Sequence, residues 1–150
     1  MAHTFVKDIM KTNIISIDSS KTIKEAACMM DDSDIGCIII TKDDSPIGIL
    51  TERDFVKKIA AKNKDLSNPL TEVMSSPLTT INSEETIWEA AEKMKQKGIH
   101  KLPVLNDEKV IGIITATDLV KVCSMGSDSE MRNICDQILM RMKDSPSHRN

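Results

Sequence analysis

At 150 residues the chain is long enough for a domain with a sizeable core, and its 40% hydrophobic and 29% charged residues are ordinary for a globular protein. One Trp, two Phe and no Tyr leave little for stacking single-stranded bases, and a net charge of -3 argues against a nucleic-acid footprint over the whole surface. No apolar run approaches the roughly 20 residues of a membrane helix, and the first eight residues lack the apolar core of a signal peptide, so a cytoplasmic protein is expected.

Taken in order, the chain opens each half with the same pattern. A short strand is predicted at Ile14 to Ile17. Thr22 and Glu25 then have the spacing of a capping box. Ile23, Ala26, Ala27 and Met30 follow on one apolar helix face. Cys37 to Thr41 is a continuous, Ile-rich run, the pattern of a strand buried on both faces. Asp43 to Pro46 reads as a polar turn, Ile47 to Thr51 as a third strand, and a helix opens near Asp54. Asn63 to Pro69 is a polar linker. The order then recurs: a strand at Leu78 to Ile81, a capping box at Thr86 and Glu89, and a helix face of Ile87, Ala90, Ala91 and Met94. A strand at Leu102 to Leu105, a turn at Asn106 to Lys109, a strand at Val110 to Thr115 and a helix near Asp118 complete it.

This recurrence is an internal repeat. Displaced by 64 positions, the sequence aligns with itself without a gap, and about a third of positions 6 to 59 are identical to their counterparts. The fold class is therefore α+β, two β-α-β-β-α units. The expected division is 1–62 for the first repeat, 63–69 for the linker, 70–124 for the second repeat and 125–150 for a C-terminal helix and tail. In that tail Met131, Ile134, Cys135, Ile138, Leu139 and Met142 form an apolar stripe at helical spacing, to be packed on its own module or docked on a partner. The four cysteines lack CxxC spacing. Each sits among apolar residues, so buried reduced thiols are expected and a zinc site is not.

The chemistry-bearing element is G-I-x-T-x-x-D, present as Gly48, Ile49, Thr51 and Asp54 and again as Gly112, Ile113, Thr115 and Asp118. A Thr at a strand end followed by an Asp in the first helical turn sets a carboxylate where it can accept from the vicinal hydroxyls of a ribose, beside a helix N-terminus that favours phosphate. The same spacing is also a helix start signal. Two copies at one offset, each after Gly-Ile, strengthen the functional reading, and capping is compatible with it.

The paired units, each with this motif after its third strand, resemble the tandem CBS domain, or Bateman module, over residues 6 to 123. Gly98 to Val104 resembles the family's second-strand segment. The resemblance implies two repeats packed sheet to sheet as one pseudo-two-fold module, with two clefts that take AMP, ADP, ATP or S-adenosylmethionine. The first cleft would use Thr51, Arg53 and Asp54 with Thr79, Ile81, Ile99, His100 and Lys101. Asp54 would hold the ribose, Ile81 and Ile99 would wall the adenine, and Arg53, His100 and Lys101 would face phosphates. The second would use Thr115, Thr117 and Asp118 with Ile15, Ile17, Ile35, Gly36 and Cys37. It is the cation-poor one, because Gly36, Cys37 and Thr117 stand where the other has His100, Lys101 and Arg53. A homodimer is implied, with Phe55, Val56 and Ile59, and Leu119, Val120 and Cys123, as faces to bury.

No P-loop, metal-ligand cluster or nucleophile-base set is present, so an enzyme is not expected. The leading reading is a regulatory sensor of an adenosine compound, acting through its own assembly or an unknown regulated protein. The alternative is a CBS scaffold that binds no ligand.

Overall fold

Two capping boxes start the two main helices. Thr22 Oγ1 accepts from the Glu25 amide at 3.2 Å while the Thr22 amide donates to Glu25 Oε2 at 2.9 Å. Thr86 and Glu89 repeat the exchange at 3.2 and 3.1 Å. In the computed structural model, which describes residues 4–125 and Asp136, these boxes open α2 (Ile23–Ser33) and α4 (Ile87–Lys97). The element order is α1 (Val6–Ile9), β1 (Ser16–Asp18), α2, β2 (Cys37–Lys42), β3 (Ser45–Thr51) and α3 (Glu52–Asp54), which runs on into a π-helical stretch at Phe55–Ala60. After a 3-10 turn at Leu70–Glu72 come β4 (Ile81–Asn82), α4, β5 (Lys101–Asn106), β6 (Lys109–Thr115) and α5 (Ala116–Met125). The helix expected over the stripe from Met131 to Met142, with Cys135, lies outside the described residues.

The strands form two three-stranded sheets, β1-β2-β3 and β4-β5-β6. In each, the first pair is parallel and crosses over through a helix, and the second is an antiparallel hairpin. The hairpin turns are tighter than expected. Asp43 and Asp44, and Asp107 and Glu108, all have φ between 50° and 65°, the conformation of a two-residue type I′ turn. The strands extend into positions that the sequence reading gave to the turns. Cys37, Ile38, Ile39 and Ile40 are all buried, as the apolar run requires.

The first strand of each sheet is shorter than expected, and that of the second copy is shorter still. The cause is a single residue. In the first copy the Ile39 amide donates to Ile15 O at 3.0 Å and Ser16 pairs with Ile39. Pro103 occupies the corresponding position in β5 and has no amide hydrogen. Pairing there begins only at Ile81 with Val104.

The chain divides into two compact units that do not coincide with the sequence repeats. Among the described residues, one holds those up to Thr12 and those from Thr80 on; the other is Asn13–Thr79. Val6 is fully buried in the first core, with Ile81, Ile87, Ala90, Leu102, Ile114 and Leu119. Its amide donates to Glu85 O, and Lys11 pairs with Ile113 in both directions at 2.8 and 2.9 Å. Leu70 and Val73 sit in the other core with Ile23, Ile38, Ile40 and Leu50, and Ser75 pairs with Ile49 at 2.9 and 3.1 Å. The segment that opens each repeat, ahead of its first strand, thus completes the unit built from the other.

The cysteine expectation needs one correction. Cys37 is buried, but Cys28 is exposed. Ile23, Ala26 and Met30 form the inward face of α2, and Cys28 falls off it. Ile59 and Leu119, expected as faces for a second copy, are instead 3% and 0% exposed within their own cores, whereas Val56 is 65% exposed.

Candidate functional site

The glycine of each G-I-x-T-x-x-D motif has a packing role. A Cβ on Gly48 would stand 2.9 Å from Ser75 O and 2.8 Å from Met74 Sδ; on Gly112 it would stand 2.7 Å from both Lys11 O and Met10 Sδ. The crossing segment therefore lies directly on the strand that leads into the Thr and Asp. This close approach fixes where residues 11 and 75 sit.

At the strand end the Asp closes a capping box on its own Thr. The Thr51 amide donates to Asp54 Oδ2 at 2.9 Å, and the Asp54 amide donates to Thr51 Oγ1 at 3.3 Å. In the other unit the Thr115 amide donates to Asp118 Oδ2 at 3.0 Å, and the Asp118 amide to Thr115 Oγ1 at 3.1 Å. The capping reading of the motif holds in both units: one carboxylate oxygen serves the helix start, and the second lies outside that exchange. That second oxygen faces an ammonium in each unit. Lys58 Nζ is 3.3 Å from Asp54 Oδ1, and Lys11 Nζ is 3.4 Å from Asp118 Oδ1. Asp54 and Asp118 are themselves buried, at 9% and 7%. A charge in that setting needs a partner.

Lys11 and Lys58 are absent from the sequence-derived set. Displacement by 64 pairs Lys11 with Ser75 and Lys58 with Val122, so the repeat masks both. The available signal for Lys58 was its Asp-Lys i, i+4 spacing on a helix. Asp118, which belongs to the set expected to be poorer in cation, thus has an ammonium beside it.

The start of the central strand lies beside the motif of its own unit. Cys37 pairs with Thr51 and the Glu52 amide donates to Gly36 O at 3.0 Å; Lys101 pairs with Thr115 and the Ala116 amide donates to His100 O at 2.9 Å. Asp54 thus shares a unit with Ile15, Ile17, Ile35, Gly36, Cys37 and Thr79, and Asp118 shares one with Ile81, Ile99, His100, Lys101 and Thr117. The two expected ligand sets each draw on both units.

Arg53 and Thr117 are exposed, and Ile15, Ile35, Ile99, His100 and Lys101 are half-buried. Ile81 and Ile17, expected as contact residues, are core residues at 2% and 7% exposure. The two-fold alternation of a strand turns these side chains inward, into their own cores. A cavity of about 280 Å³ opens near Met30, Asp31, Asp34, Ile35, Glu52 and Phe55; Ile35 lines it and Asp54 does not. Among the described residues no group of three or more His, Cys, Asp or Glu side chains gathers as for a metal ion. No helix among them is long and apolar enough to cross a membrane.

Two small α+β units, each ending a hairpin in a capped Thr-x-x-Asp, define a tandem-repeat module. The chain belongs to the CBS-domain family, whose pattern matches residues 6–61 and 70–124. It is 31% identical over 134 residues to the CBS domain-containing protein YhcV of Bacillus subtilis, covering 88% of this chain and 96% of that one. It is 36% identical over 124 residues to a homoserine O-acetyltransferase of Methanohalobium evestigatum, but spans only 24% of that enzyme. Among solved structures, the CBS domain pair of protein MJ0100 in complex with 5′-methylthioadenosine and S-adenosyl-L-methionine matches with a TM-score of 0.74 and 28% identity, over 83% of this chain and 98% of that one.

Proposed function

We propose that the chain is a regulatory module that binds an adenosine-containing ligand and reports its level through self-association or a regulated partner. It is not proposed to catalyse a reaction. The observation that carries the reading is the divided carboxylate: Asp54 and Asp118 each commit Oδ2 to a helix start and keep Oδ1 for another donor. A ribose hydroxyl is such a donor. The complex of the MJ0100 domain pair with two adenosine compounds supports the ligand class. In the proposed ligand set Asp54 holds a ribose, Ile99 walls an adenine, and Arg53, His100 and Lys101 face phosphates, with Thr51, Thr79 and the backbone at Ile81 completing it. Asp118, Thr115 and Thr117, with Ile15, Ile35, Gly36, Cys37 and the backbone at Ile17, form the second set.

The test is a thermal-shift panel of AMP, ADP, ATP, S-adenosylmethionine and NAD. At about 100 times the dissociation constant, linkage adds about 2.7 kcal/mol, which for a chain of this size raises Tm by roughly 5–11 °C. Asp54→Ala removes the acceptor and should remove most of that shift for ligands at its site. A flat response to every adenosine compound would leave the scaffold reading in its place.

A further inference from the structure

Each Thr-x-x-Asp carries one ammonium on Oδ1, yet the two ammoniums come from non-equivalent positions. In one unit the source is Lys58, on the helix that follows the motif. Lys58 also donates to Ser75 Oγ at 3.0 Å, and Ser75 lies on the crossing segment over Gly48. In the other unit the crossing segment itself carries the lysine: Lys11 is the counterpart of Ser75, over Gly112, and reaches Asp118 Oδ1. The counterpart of Lys58 there is Val122. Each carboxylate is thus met by an ammonium that arrives along a different route. Helix capping does not require this, since Oδ2 alone meets the Thr amide in both units. Both lysines remain accessible, with side chains 41% and 53% exposed, against 12% and 8% for the carboxylates.

We propose that Lys58 and Lys11 are specificity-determining ligand residues that make both motifs select nucleoside phosphates over neutral or sulfonium adenosine compounds. The proposal rests on the ligand reading above and extends it. When a ribose hydroxyl donates to Oδ1, it takes the place of the ammonium, which turns its three donors to the phosphate of the same ligand. A sulfonium gains nothing from that ammonium and is repelled by it. The second motif then also holds a cation for an anionic ligand, which the composition of its strand start did not indicate.

Calorimetric titration of the full chain with adenosine, ADP and S-adenosylmethionine tests this in wild type, Lys58→Met, Lys11→Met and the two Lys→Arg variants. Each Met variant should lose about tenfold in ADP affinity at its own site, keep adenosine affinity or raise it by up to about threefold because the competing ammonium is gone, and gain about threefold for S-adenosylmethionine. Each Arg variant should keep ADP binding within about threefold. In wild type, raising salt should weaken ADP and leave adenosine unchanged, a readout that needs no variant to fold. Equal losses for ADP and adenosine, or no loss for either, would overturn the proposal and leave the lysines as structural counter-charges. Absence of binding by all three compounds to the wild type would instead sink the ligand reading itself, and this inference with it.

Discussion

The two units are built on one plan and differ where the chain enters and leaves the motif. The unit Asn13–Thr79 has its lysine on the exit helix, which is π-helical over Phe55–Ala60, with the Ala61 amide reaching back five residues to Val56 O at 2.9 Å. The other has its lysine on the crossing segment over Gly112 and continues in a regular helix, α5. The capped carboxylate, the glycine and the close-packed crossing segment are common to both. The comparison teaches that an ammonium beside Oδ1 is common to both units while the residue supplying it is not. A position-by-position repeat alignment therefore underestimates what the two units share.

The largest expected effect concerns the exchanged segments. Leu70 is fully buried in the core of Asn13–Thr79, so Leu70→Ala should cost about 2–5 kcal/mol. Native-state hydrogen exchange should show the amides of Ile38 and Ile40 losing protection before those of Leu102 and Val104. Val6→Ala, deleting less from the other core, should cost about 2 kcal/mol and give the opposite order. Loss of protection in the reverse pattern would break the assignment of segments to units.

A smaller effect separates the two helix ends. Gly98 closes α4 at φ 64°, and Asp34 closes α2 in the same left-handed conformation at φ 52°. Asp34→Gly should stabilise by about 0.5–1 kcal/mol and Gly98→Ala should destabilise by about 1–2 kcal/mol, both read from denaturant midpoints. Destabilisation by Asp34→Gly would show that the Asp side chain contributes more at that end than its backbone strain costs.

Much of this was legible in the chain. The capping boxes at Thr22 and Thr86, the buried run Cys37 to Ile40 and the two Thr-x-x-Asp motifs follow from local spacing, and local spacing is what a helix start or a buried strand depends on. The exchange of leading segments was not legible. Val6 and Leu70 are apolar in either arrangement, and the repeat fixes their order along the chain but not the core they join. The short β4 was readable in hindsight from Pro103, which lacks the donor that Ile39 supplies. Lys11 escaped because its tie to Asp118 spans most of the chain, and because its counterpart is a serine.

The most direct test of the central claim, that each capped carboxylate keeps one oxygen for a ligand, is the number of ADP molecules bound per chain. Asp54→Asn and Asp118→Asn are the appropriate variants, since an amide oxygen still caps the Thr amide while the group facing the lysine becomes a donor. Isothermal titration should give two sites per chain in the wild type, one in each variant and none in the double variant, with Tm of the unliganded protein little changed. Isotherms of the two variants indistinguishable from wild type would contradict the account and return Asp54 and Asp118 to helix capping alone.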